Sequence, residues 1–308
     1  MHHFQQARQA LGSEVILTIL TARRDAQLDS MFDGLWNHLE GFEERFSRFR
    51  TTSETTRVNV GAGSWVEVSP EFMEMLRLCT YWNQKTAGLF NPLVLPQLQR
   101  AGYVGSWPDA ATVTPQLDYR QRNVAAWTEI ETHGSRVRLP KSSALDLGGI
   151  GKGLALDQLA AVVASVYPDF CLSLGGDIVC GGRGLTGAWE IEVMRASNTD
   201  EAAAVYQPAG DEIFALATSG VTNRQGITNG QPWHHIIDPR TGMSSKSNVL
   251  TASVVAETGI AADILAKCVV ITGSKNAEML LTQLAASAWL LQTEDEALII
   301  QNGGFRIC

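Results

Sequence analysis

Residues 146–153 read DLGGIGKG and stand between strand-like segments and an Ala/Leu/Val-rich stretch that predicts a helix to about residue 166. At such a junction the N–H groups of the first helical turn have no intrahelical partner and can bind phosphate oxygens. The motif is not a P-loop, because Gly153 follows the Gly-Lys pair and Asp146 replaces the first loop glycine. It is not G-x-G-x-x-G either. A tight turn that needs positive φ is the alternative interpretation.

The segments around this motif predict strands mixed with helices. Residues 13–21 (SEVILTILT) alternate as in a strand, and residues 25–46 carry apolar residues at helical spacing. Ser69 before Pro70 predicts the start of a second helix. Further strands are expected at 125–131, 136–139, 170–174, 188–195, 213–217, 249–256 and 297–301, and further helices around 259–267 and at 274–285. Hairpins and crossovers in one chain favour an α+β fold over α/β.

Length and charge narrow the possible functions. The 308 residues, 45% of them hydrophobic, can bury a large core as one domain or as two intimately packed lobes. The net charge of −8 and the scattered Lys and Arg residues argue against a nucleic-acid surface. The N-terminus has no apolar leader and no cysteine for a lipid, and no segment approaches about 18 uninterrupted apolar residues. We therefore expect a soluble cytoplasmic protein without a membrane span.

Two further features concern redox state and loops. The cysteines at positions 79, 171, 180, 268 and 308 form no C-x-x-C pair, which predicts reduced core residues. Residues 102–123 are polar and contain two prolines, which predicts a long surface connection.

Residues 261–270 read AADILAKCVV and place Asp263 and Lys267 four positions apart in an apolar run. On a helix these side chains share a face, and an exposed ion pair worth roughly 0.3 to 0.5 kcal/mol is the simplest interpretation.

Three other motifs contain polar groups that could bind a ligand. LSLGGDIVCGG (172–182) places paired glycines before an aspartate, and this arrangement also fits a simple turn. ATSGVTNRQG (217–226) has the composition of a small polar loop, in which Thr218, Ser219 and backbone amides could hydrogen-bond a nucleotide. WHHIIDPRTG (233–242) joins two histidines, which titrate near neutrality, to a turn of rigid composition. A structural role for the histidines is equally open at this point.

In order and spacing, these motifs resemble those of the FAD:protein FMN transferases, the ApbE-like flavin transferases. The resemblance runs nearly from end to end. It is carried by LGSEVILTI (11–19), SRFRTTSETTRVN (47–59), GLFNP (88–92), DLGGIGKGLALD (146–157), LSLGGDI (172–178), ATSG (217–220), HHIIDPRTG (234–242) and TASVVAETGIAADILAK (251–267).

The resemblance implies a single ApbE-like domain over residues 1–308, of T-fold-like α+β architecture. It implies Mg²⁺-dependent cleavage of the FAD pyrophosphate, transfer of FMN to a Ser or Thr hydroxyl of an acceptor protein, and release of AMP. The implied catalytic residues are His235, as general base, and Asp263. The implied flavin- and nucleotide-binding positions are Phe49, Leu89, Phe90, Asn91, Asp146, Gly149, Lys152, Thr218, Ser219 and Ile237.

The family's metal ligands match the carbonyl of Gly151, Asp263 and position 267, where the usual threonine is replaced by Lys267. Leu154 and Asn91 also depart from the family pattern. We expect the ammonium of Lys267 to lie where a metal would be, so that FAD binds without Mg²⁺ and is cleaved poorly. The alternatives are an FAD pyrophosphatase, which releases FMN and AMP, and a non-catalytic FAD-binding protein.

Overall fold

The computed structural model describes residues 1–105, 123–198, 200–301 and 303–308. The α-helices in these ranges are α1 (Ala26–Phe46), α2 (Glu54–Val60), α3 (Pro70–Lys85), α4 (Leu95–Ala101), α5 (Gly151–Ala164), α6 (Gly259–Thr272) and α7 (Ser274–Gln283). Short 3₁₀ turns occupy Pro92–Val94 and Trp127–Glu129. In the described part of the chain every helix is too short or too polar to span a bilayer.

The strands of the described residues follow the chain from its N-terminus to its C-terminus. They are β1 (His2–Ala10), β2 (Ser13–Thr21), β3 (Val66–Glu67), β4 (Glu131–His133), β5 (Arg136–Arg138), β6 (Phe170–Leu174), β7 (Asp177–Gly181), β8 (Ile191–Met194), β9 (Ala202–Tyr206), β10 (Phe214–Gly220), β11 (Gln225–Thr228), β12 (Gln231–His234), β13 (Ile237–Asp238), β14 (Met243–Ser244), β15 (Val249–Ala256), β16 (Ala288–Thr293), β17 (Leu298–Gln301) and β18 (Phe305–Ile307).

Backbone contacts divide the chain into two compact units. Unit 1 comprises Met1–Gly41, Ile150–Thr222 and Ser247–Cys308, and unit 2 comprises Phe42–Gly149 and Asn223–Lys246. The expectation of one domain over the whole chain stays a prediction. Strands and helices are mixed along the chain, as in an α+β fold, so the predicted fold class is confirmed.

Unit 1 is built on an eight-stranded antiparallel sheet in the order β1-β2-β6-β7-β10-β15-β16-β17. Helices α5 and α6 pack on its central strands. A small sheet, β18-β9-β8, contributes to an apolar cluster with the large sheet, in which Tyr206 and Val193 meet Cys180, Leu216 and Leu290. Because successive side chains of a strand point to opposite faces, the central strands are buried on both faces.

Unit 2 contains helices α2 to α4, the three-stranded sheet β3-β5-β4 and the hairpins β11–β12 and β13–β14. Helix α3 begins as its sequence predicts, because the hydroxyl of Ser69 accepts a hydrogen bond of 3.1 Å from the Phe72 amide and Pro70 occupies the first turn.

Several predictions about elements need correction. The strand expected at 125–131 is absent before Glu131, where β4 begins. Residues 127–129 form a 3₁₀ turn instead, and the Glu129 carboxylate accepts a hydrogen bond of 2.9 Å from the Ala126 amide. The loop expected at 217–226 is limited to residues 221–224, because β10 continues through Gly220, where it pairs with β15, and β11 begins at Gln225. Most of the predicted connection at 102–123 lies outside the described residues.

Cysteine burial agrees with the prediction at three positions. All five cysteines are thiols, and Cys79, Cys180 and Cys268 are buried. Cys171 is partly buried, whereas Cys308 is exposed and is therefore not a core residue.

Candidate functional site

A tight hairpin in unit 1 places an aspartate beside a lysine. Gly175 and Gly176 form the two-residue turn between β6 and β7, with φ values of 61° and 89°. Two-residue turns of this kind need positive φ at both positions, which glycine adopts without strain. The predicted turn is thus confirmed, and it makes Asp177 the first residue of β7, where it is buried.

The carboxylate of Asp177 is bound from two other elements of unit 1. One oxygen, Oδ2, accepts a hydrogen bond from the ammonium of Lys152, in the first turn of α5. The other, Oδ1, accepts the backbone amide of Thr218 at 3.1 Å. The side chain of Asp177 is 3% exposed and that of Lys152 is 20% exposed, so the ammonium forms the outer part of this pair.

The residues of the ATSG segment lie in the central strand β10, so their side chains alternate between the two faces of the sheet. Thr218 is exposed, and its hydroxyl lies 2.7 Å from the hydroxyl of the buried Ser253 on β15. Ser219 is buried, because neighbouring residues of a strand face opposite sides. Of the two predicted nucleotide contacts, only Thr218 is thus on an accessible face.

Helix α6 supplies the second ion pair of unit 1. The ammonium of Lys267 bonds Oδ1 of Asp263 and lies 3.3 Å from its backbone oxygen. The Asp263 side chain is 2% exposed and that of Lys267 is 19% exposed. The i, i+4 pair predicted from the sequence therefore forms, but its interpretation as an exposed surface pair is wrong.

Helices α5 and α6 approach each other closely at two glycines. A Cβ on Gly153 would lie 2.5 Å from the carbonyl oxygen of Gly259, and a Cβ on Gly259 would lie 2.7 Å from that of Gly153. The carboxylate of Asp157 in α5 accepts the amides of Gly259 and Ile260 at 2.5 and 3.0 Å, which caps the start of α6. Gly153 is therefore needed for helix packing, and the expected positive φ is absent from the glycines of the described segment 148–153.

The two ion pairs influence each other electrostatically. Burial raises the pKa of Asp177, and the charge of Lys152 counteracts this; Asp263 raises the same pKa and Lys267 lowers it, both by smaller amounts. Because both pairs act on Asp177, we treat Lys152, Asp177, Asp263 and Lys267 as one group, the carboxylate–ammonium cluster. Its charges balance within the cluster.

In unit 2, Arg48 lies between two aromatic rings and an acid. Its guanidinium carbon is 4.1 Å from the ring centre of Phe49 and 4.9 Å from that of Tyr103. Its Nε lies 2.7 Å from Oδ2 of Asp146, and the two side chains are 4% and 13% exposed. We call Arg48, Phe49, Tyr103 and Asp146 the arginine–aromatic cluster. Cation–π contact and a charge-assisted hydrogen bond both fix the guanidinium plane.

Backbone hydrogen bonds hold Asp146 in this position. Its amide donates to the carbonyl of Pro92 at 2.8 Å, and its Oδ1 accepts the Gly148 amide at 2.7 Å. The side-chain amide of the buried Asn59 bonds both backbone groups of Leu145, at 2.7 and 2.9 Å. The first half of the DLGGIGKG motif is thus tied to the segment that carries the Phe-Asn-Pro residues.

The GLFNP positions are mostly used for local structure. Asn91 caps the 3₁₀ turn by accepting the Leu93 amide at 3.0 Å and donates to the Ala125 carbonyl at 3.0 Å. Phe90 is buried and Leu89 is half-buried. Because both ends of the Asn91 amide have protein partners, its predicted flavin contact would require one of these bonds to be exchanged.

The two adjacent histidines have different surroundings. The Nε2 atom of His234 lies 2.9 Å from the Ser245 carbonyl and its Nδ1 atom lies 3.3 Å from the Ile236 amide, which assigns the proton to Nε2. Burial lowers the pKa of His234. His235 is half-buried, with its ring 6.3 Å from that of Tyr103 in an edge-on arrangement. His234 is therefore committed to the fold, and His235 lies beside the arginine–aromatic cluster.

The turn after these histidines is rigid, as its composition predicts. The carbonyl of Asp238 accepts the amides of Thr241 and Gly242 at 3.1 and 2.8 Å, and its carboxylate binds the Arg240 side chain at 2.8 and 2.9 Å. Ile237 is buried in an apolar cluster with Leu98 and Tyr103, against which Phe49 and Trp233 pack. The structure thereby brings three predicted residues, at positions 49, 235 and 237, to one region of unit 2.

Comparison with known proteins relates these motifs to one family. The sequence model of the ApbE family matches residues 11–290, which is most of the chain. This chain belongs to the ApbE family.

Two curated relatives match this ApbE family member over most of their length. It is 24% identical over 277 residues to the FAD:protein FMN transferase of Haemophilus influenzae, covering 86% of this chain and 79% of that protein. It is 24% identical over 300 residues to the FAD:protein FMN transferase of Treponema pallidum, covering 92% and 82%.

Solved structures of ApbE proteins share the fold. The ApbE protein of Thermotoga maritima superposes with a TM-score of 0.83 at 21% identity, covering 98% of this chain and 97% of that one. The flavin transferase ApbE of Vibrio cholerae superposes with a TM-score of 0.77 at 19% identity, covering 98% and 97%. At these identities the likeness establishes the fold.

The cation expected from the resemblance does not fit the residues present in this ApbE protein. One observation favours a cation: Oδ2 of Asp263 is buried and has no hydrogen-bond partner among the described residues. Against it, Lys267 has no lone pair to give while protonated and already holds Oδ1 of the same carboxylate. The described ranges contain no group of three or more His, Cys, Asp or Glu side chains arranged to hold a metal. Mg²⁺ requires near-octahedral oxygen coordination, which one available carboxylate oxygen does not provide. The positive charge of Lys267 also disfavours a cation at this place, so the residues present do not fit Mg²⁺.

Sequence reasoning missed three residues that organise the two clusters. Asp177 lies in the quoted LSLGGDI motif, and its position after paired glycines was the available signal. Arg48 lies in the quoted SRFR segment, where a buried arginine cannot be told from a surface one by spacing alone. No local sequence signal marks Tyr103, because its role depends on Arg48 and Trp233, which are distant from it along the chain. In the fold, the ring centres of Tyr103 and Trp233 are 6.3 Å apart.

Proposed function

We propose that this ApbE family member binds FAD and transfers its FMN part to a Ser or Thr hydroxyl of an acceptor protein, releasing AMP. Support comes from the family match over residues 11–290 and from the relatives named FAD:protein FMN transferase. The observation that carries the proposal is the pairing of accessible ammonium groups with buried carboxylates at Lys152 and Lys267, because FAD presents a pyrophosphate dianion.

The reaction exchanges one phosphorus–oxygen bond for another. The acceptor hydroxyl oxygen attacks the phosphorus of the FMN half and forms a phosphodiester, while the bond from that phosphorus to the bridging oxygen breaks. The electron pair leaves with AMP, and the hydroxyl proton passes to a base. Catalysis of such a step consists mainly of positioning and of neutralising charge on the phosphoryl oxygens.

We assign the base role to His235. A histidine titrates near neutrality, and general-base catalysis is worth roughly 10²- to 10⁴-fold. The neighbouring His234 is a poorer candidate, because both of its ring nitrogens are hydrogen-bonded to backbone groups and burial lowers its pKa.

Lys152 and Lys267 are assigned to the pyrophosphate, with the first amides of α5, from Gly151 onward, as additional donors. An ammonium is a compact charge on a flexible stem, so each lysine can turn from its aspartate toward a phosphate oxygen. Gly149 precedes this turn and is assigned to the same role. Thr218 and Ser219 are assigned to nucleotide hydrogen bonds, which only the exposed Thr218 can make without rearrangement.

The flavin-contacting roles fall to residues of unit 2. Phe49 offers apolar surface, the buried Ile237 belongs to the apolar cluster against which Phe49 packs, and Asp146 offers a carboxylate already oriented by Arg48. Leu89, Phe90 and Asn91 complete the proposed set. Asp263 acts in this scheme by holding Lys267, so it is a positioning residue rather than a metal ligand.

In this proposal Lys267 replaces the divalent cation that the family implies. A fixed ammonium neutralises phosphate charge but cannot bridge several oxygens as a cation in octahedral coordination does. FAD binding should therefore be independent of Mg²⁺, and pyrophosphate cleavage should be slow.

The test is an FAD titration followed by flavin fluorescence, with EDTA or with Mg²⁺, on the wild-type protein and on Lys267→Thr. Equal wild-type affinity under both conditions is expected, whereas Lys267→Thr should lose affinity in EDTA and regain it with Mg²⁺. Lys275→Thr, at an exposed lysine of α7, is the matched control and should behave as wild type. Wild-type binding that requires Mg²⁺ would contradict the assignment of Lys267.

The chemical step is tested by the products formed from FAD in the presence of acceptor protein. AMP release with FMN bound to the acceptor supports transfer, and His235→Ala should slow it by roughly 10²- to 10⁴-fold while FAD still binds. Wild-type rates in this variant would remove His235 from the mechanism.

A second candidate function is binding of FAD without turnover, and the Lys267–Asp263 pair is the observation that favours it. Stoichiometric FAD binding with no AMP release would support this candidate. Free FMN together with AMP would instead indicate an FAD pyrophosphatase.

A further inference from the structure

Two cysteines of unit 1 face each other across the β6–β7 hairpin. Cys171 and Cys180 are direct partners in the register of the two antiparallel strands. Their sulfur atoms are 2.8 Å apart, and both residues are thiols. The arrangement of these cysteines is independent of the proposed flavin chemistry.

The hairpin geometry suits a bond between these sulfurs. The turn of Gly175 and Gly176 is closed by the pair Leu174 and Asp177. Hydrogen-bonded and non-hydrogen-bonded pairs alternate from a two-residue turn, which puts the pair 171 and 180 at a non-hydrogen-bonded position. The Cα atoms of such pairs are about 4.5 Å apart, within the range of about 4.4 to 6.8 Å that disulfides span.

The surroundings give the two thiols different access to solvent. Cys180 is buried in the apolar cluster of Leu216, Val255 and Leu290, and Cys171 is partly buried at its edge. Burial and the neighbouring sulfur raise the pKa of the Cys180 thiol. Cys171 is therefore the sulfur that a reagent from solution reaches first.

The pair lies on the opposite face of the sheet from the carboxylate–ammonium cluster. Cys180 and Asp177 are three residues apart in one strand, so their side chains point to opposite faces. A reaction at the cysteines therefore needs no change at Lys152.

We propose that Cys171 and Cys180 form a reversible disulfide in the folded protein by exchange with a low-molecular-weight disulfide. The Cys171 thiolate attacks one sulfur of the reagent and releases the first thiol, which gives a mixed disulfide on Cys171. The Cys180 thiol then loses its proton, attacks the Cys171 sulfur and releases the second thiol. Two electrons and two protons pass from the protein to the reagent, so the disulfide of the reagent is reduced to two thiols.

The experiment oxidises the folded full-length protein with oxidised glutathione, alkylates the remaining thiols after denaturation and maps tryptic peptides by mass spectrometry. Lys152 and Arg183 bound a tryptic peptide, residues 153–183, that contains Cys171 and Cys180 and no other cysteine. The expected result is that this peptide loses the mass of two hydrogens and takes up no alkyl group, and that dithiothreitol restores two alkylable thiols.

The other cysteines provide internal controls. Cys79 and Cys268 are buried and should be alkylated after the same treatment, whereas the exposed Cys308 should carry glutathione. Cys180→Ser should stop at glutathione on Cys171, because the second thiol is missing.

The proposal is overturned if peptide 153–183 of the wild-type protein takes up two alkyl groups under conditions that load Cys308 with glutathione. It is also overturned if glutathione stays on Cys171 while Cys180 remains alkylable in the wild-type protein. Both outcomes are read from wild-type protein, so the result does not depend on the folding of a variant.

Discussion

The carboxylate–ammonium cluster of unit 1 and the arginine–aromatic cluster of unit 2 hold their cations in different ways. In the first, two lysines with side chains 19% and 20% exposed cover carboxylates that are 2% and 3% exposed. In the second, the Arg48 side chain is 4% exposed, and it is fixed by two rings and one carboxylate.

This difference separates charges that can move to a ligand from a charge that supports the fold. A lysine stem can rotate its ammonium away from an aspartate, whereas a guanidinium held between rings cannot leave without losing its packing. We therefore expect substitutions in the carboxylate–ammonium cluster to change ligand binding and the pH dependence of stability. Substitution of Arg48 should change mainly the stability itself.

The largest expected effect is a loss of stability when the arginine–aromatic cluster is disrupted. Arg48→Ala removes the ion-pair partner of Asp146 and the side chain that packs against the rings of Phe49 and Tyr103. The free energy of unfolding should therefore fall by about 3 to 5 kcal/mol. Urea unfolding followed by circular dichroism measures the change. Arg138→Ala is the control, because Arg138 pairs with Glu131 at the surface and its loss should cost about 0 to 1 kcal/mol. Equal midpoints for the two variants would contradict a supporting role for Arg48.

An intermediate effect on the free energy of unfolding is expected at the contact between α5 and α6, the helices that carry the two lysines of the carboxylate–ammonium cluster. Gly153→Ala places a Cβ against the Gly259 backbone, and the resulting displacement of α5 from α6 should cost about 1 to 3 kcal/mol. Gly34→Ala in α1 meets no atom within 4 Å and should stabilise by up to about 1 kcal/mol. If both variants shift the unfolding midpoint in the same direction, close approach of the two helices does not limit stability.

The smallest expected effect is a difference in pH dependence at Asp177. Burial raises its pKa above 3.8, so the folded state holds the proton more strongly than the unfolded state does. The stability this contributes is complete below the unfolded pKa of about 3.9 and is lost as the pH rises through the folded pKa. Asp177→Asn stays neutral and lacks this loss.

As the pH rises from 4, the urea midpoint of the wild-type protein should therefore fall relative to that of Asp177→Asn. One proton sets an upper limit of about 1.4 kcal/mol per pH unit. Parallel profiles would show that the pKa of Asp177 is the same in the folded and the unfolded protein.

Elements with a strong local pattern were predictable from the sequence. Strand β6 (Phe170–Leu174) and strand β15 (Val249–Ala256) have their predicted bounds, and α6 (Gly259–Thr272) begins where predicted and runs further. Strand β1 (His2–Ala10) was missed, because its residues are mostly polar and exposed and it is held by pairing with β2. Hydrophobic periodicity gives little signal for such an edge strand.

The sequence by itself determined the α+β fold, the order of the motifs and the ApbE resemblance, since these depend on local composition and spacing along the chain. Tertiary structure alone decided which charges from distant segments meet. The carboxylate of Asp177 reaches Lys152, 25 residues earlier, and Arg48 reaches Asp146 because folding brings distant segments together. Burial and pKa depend on every atom around a group, so even the i, i+4 pair of Asp263 and Lys267 was predictable as a contact but not as a buried one.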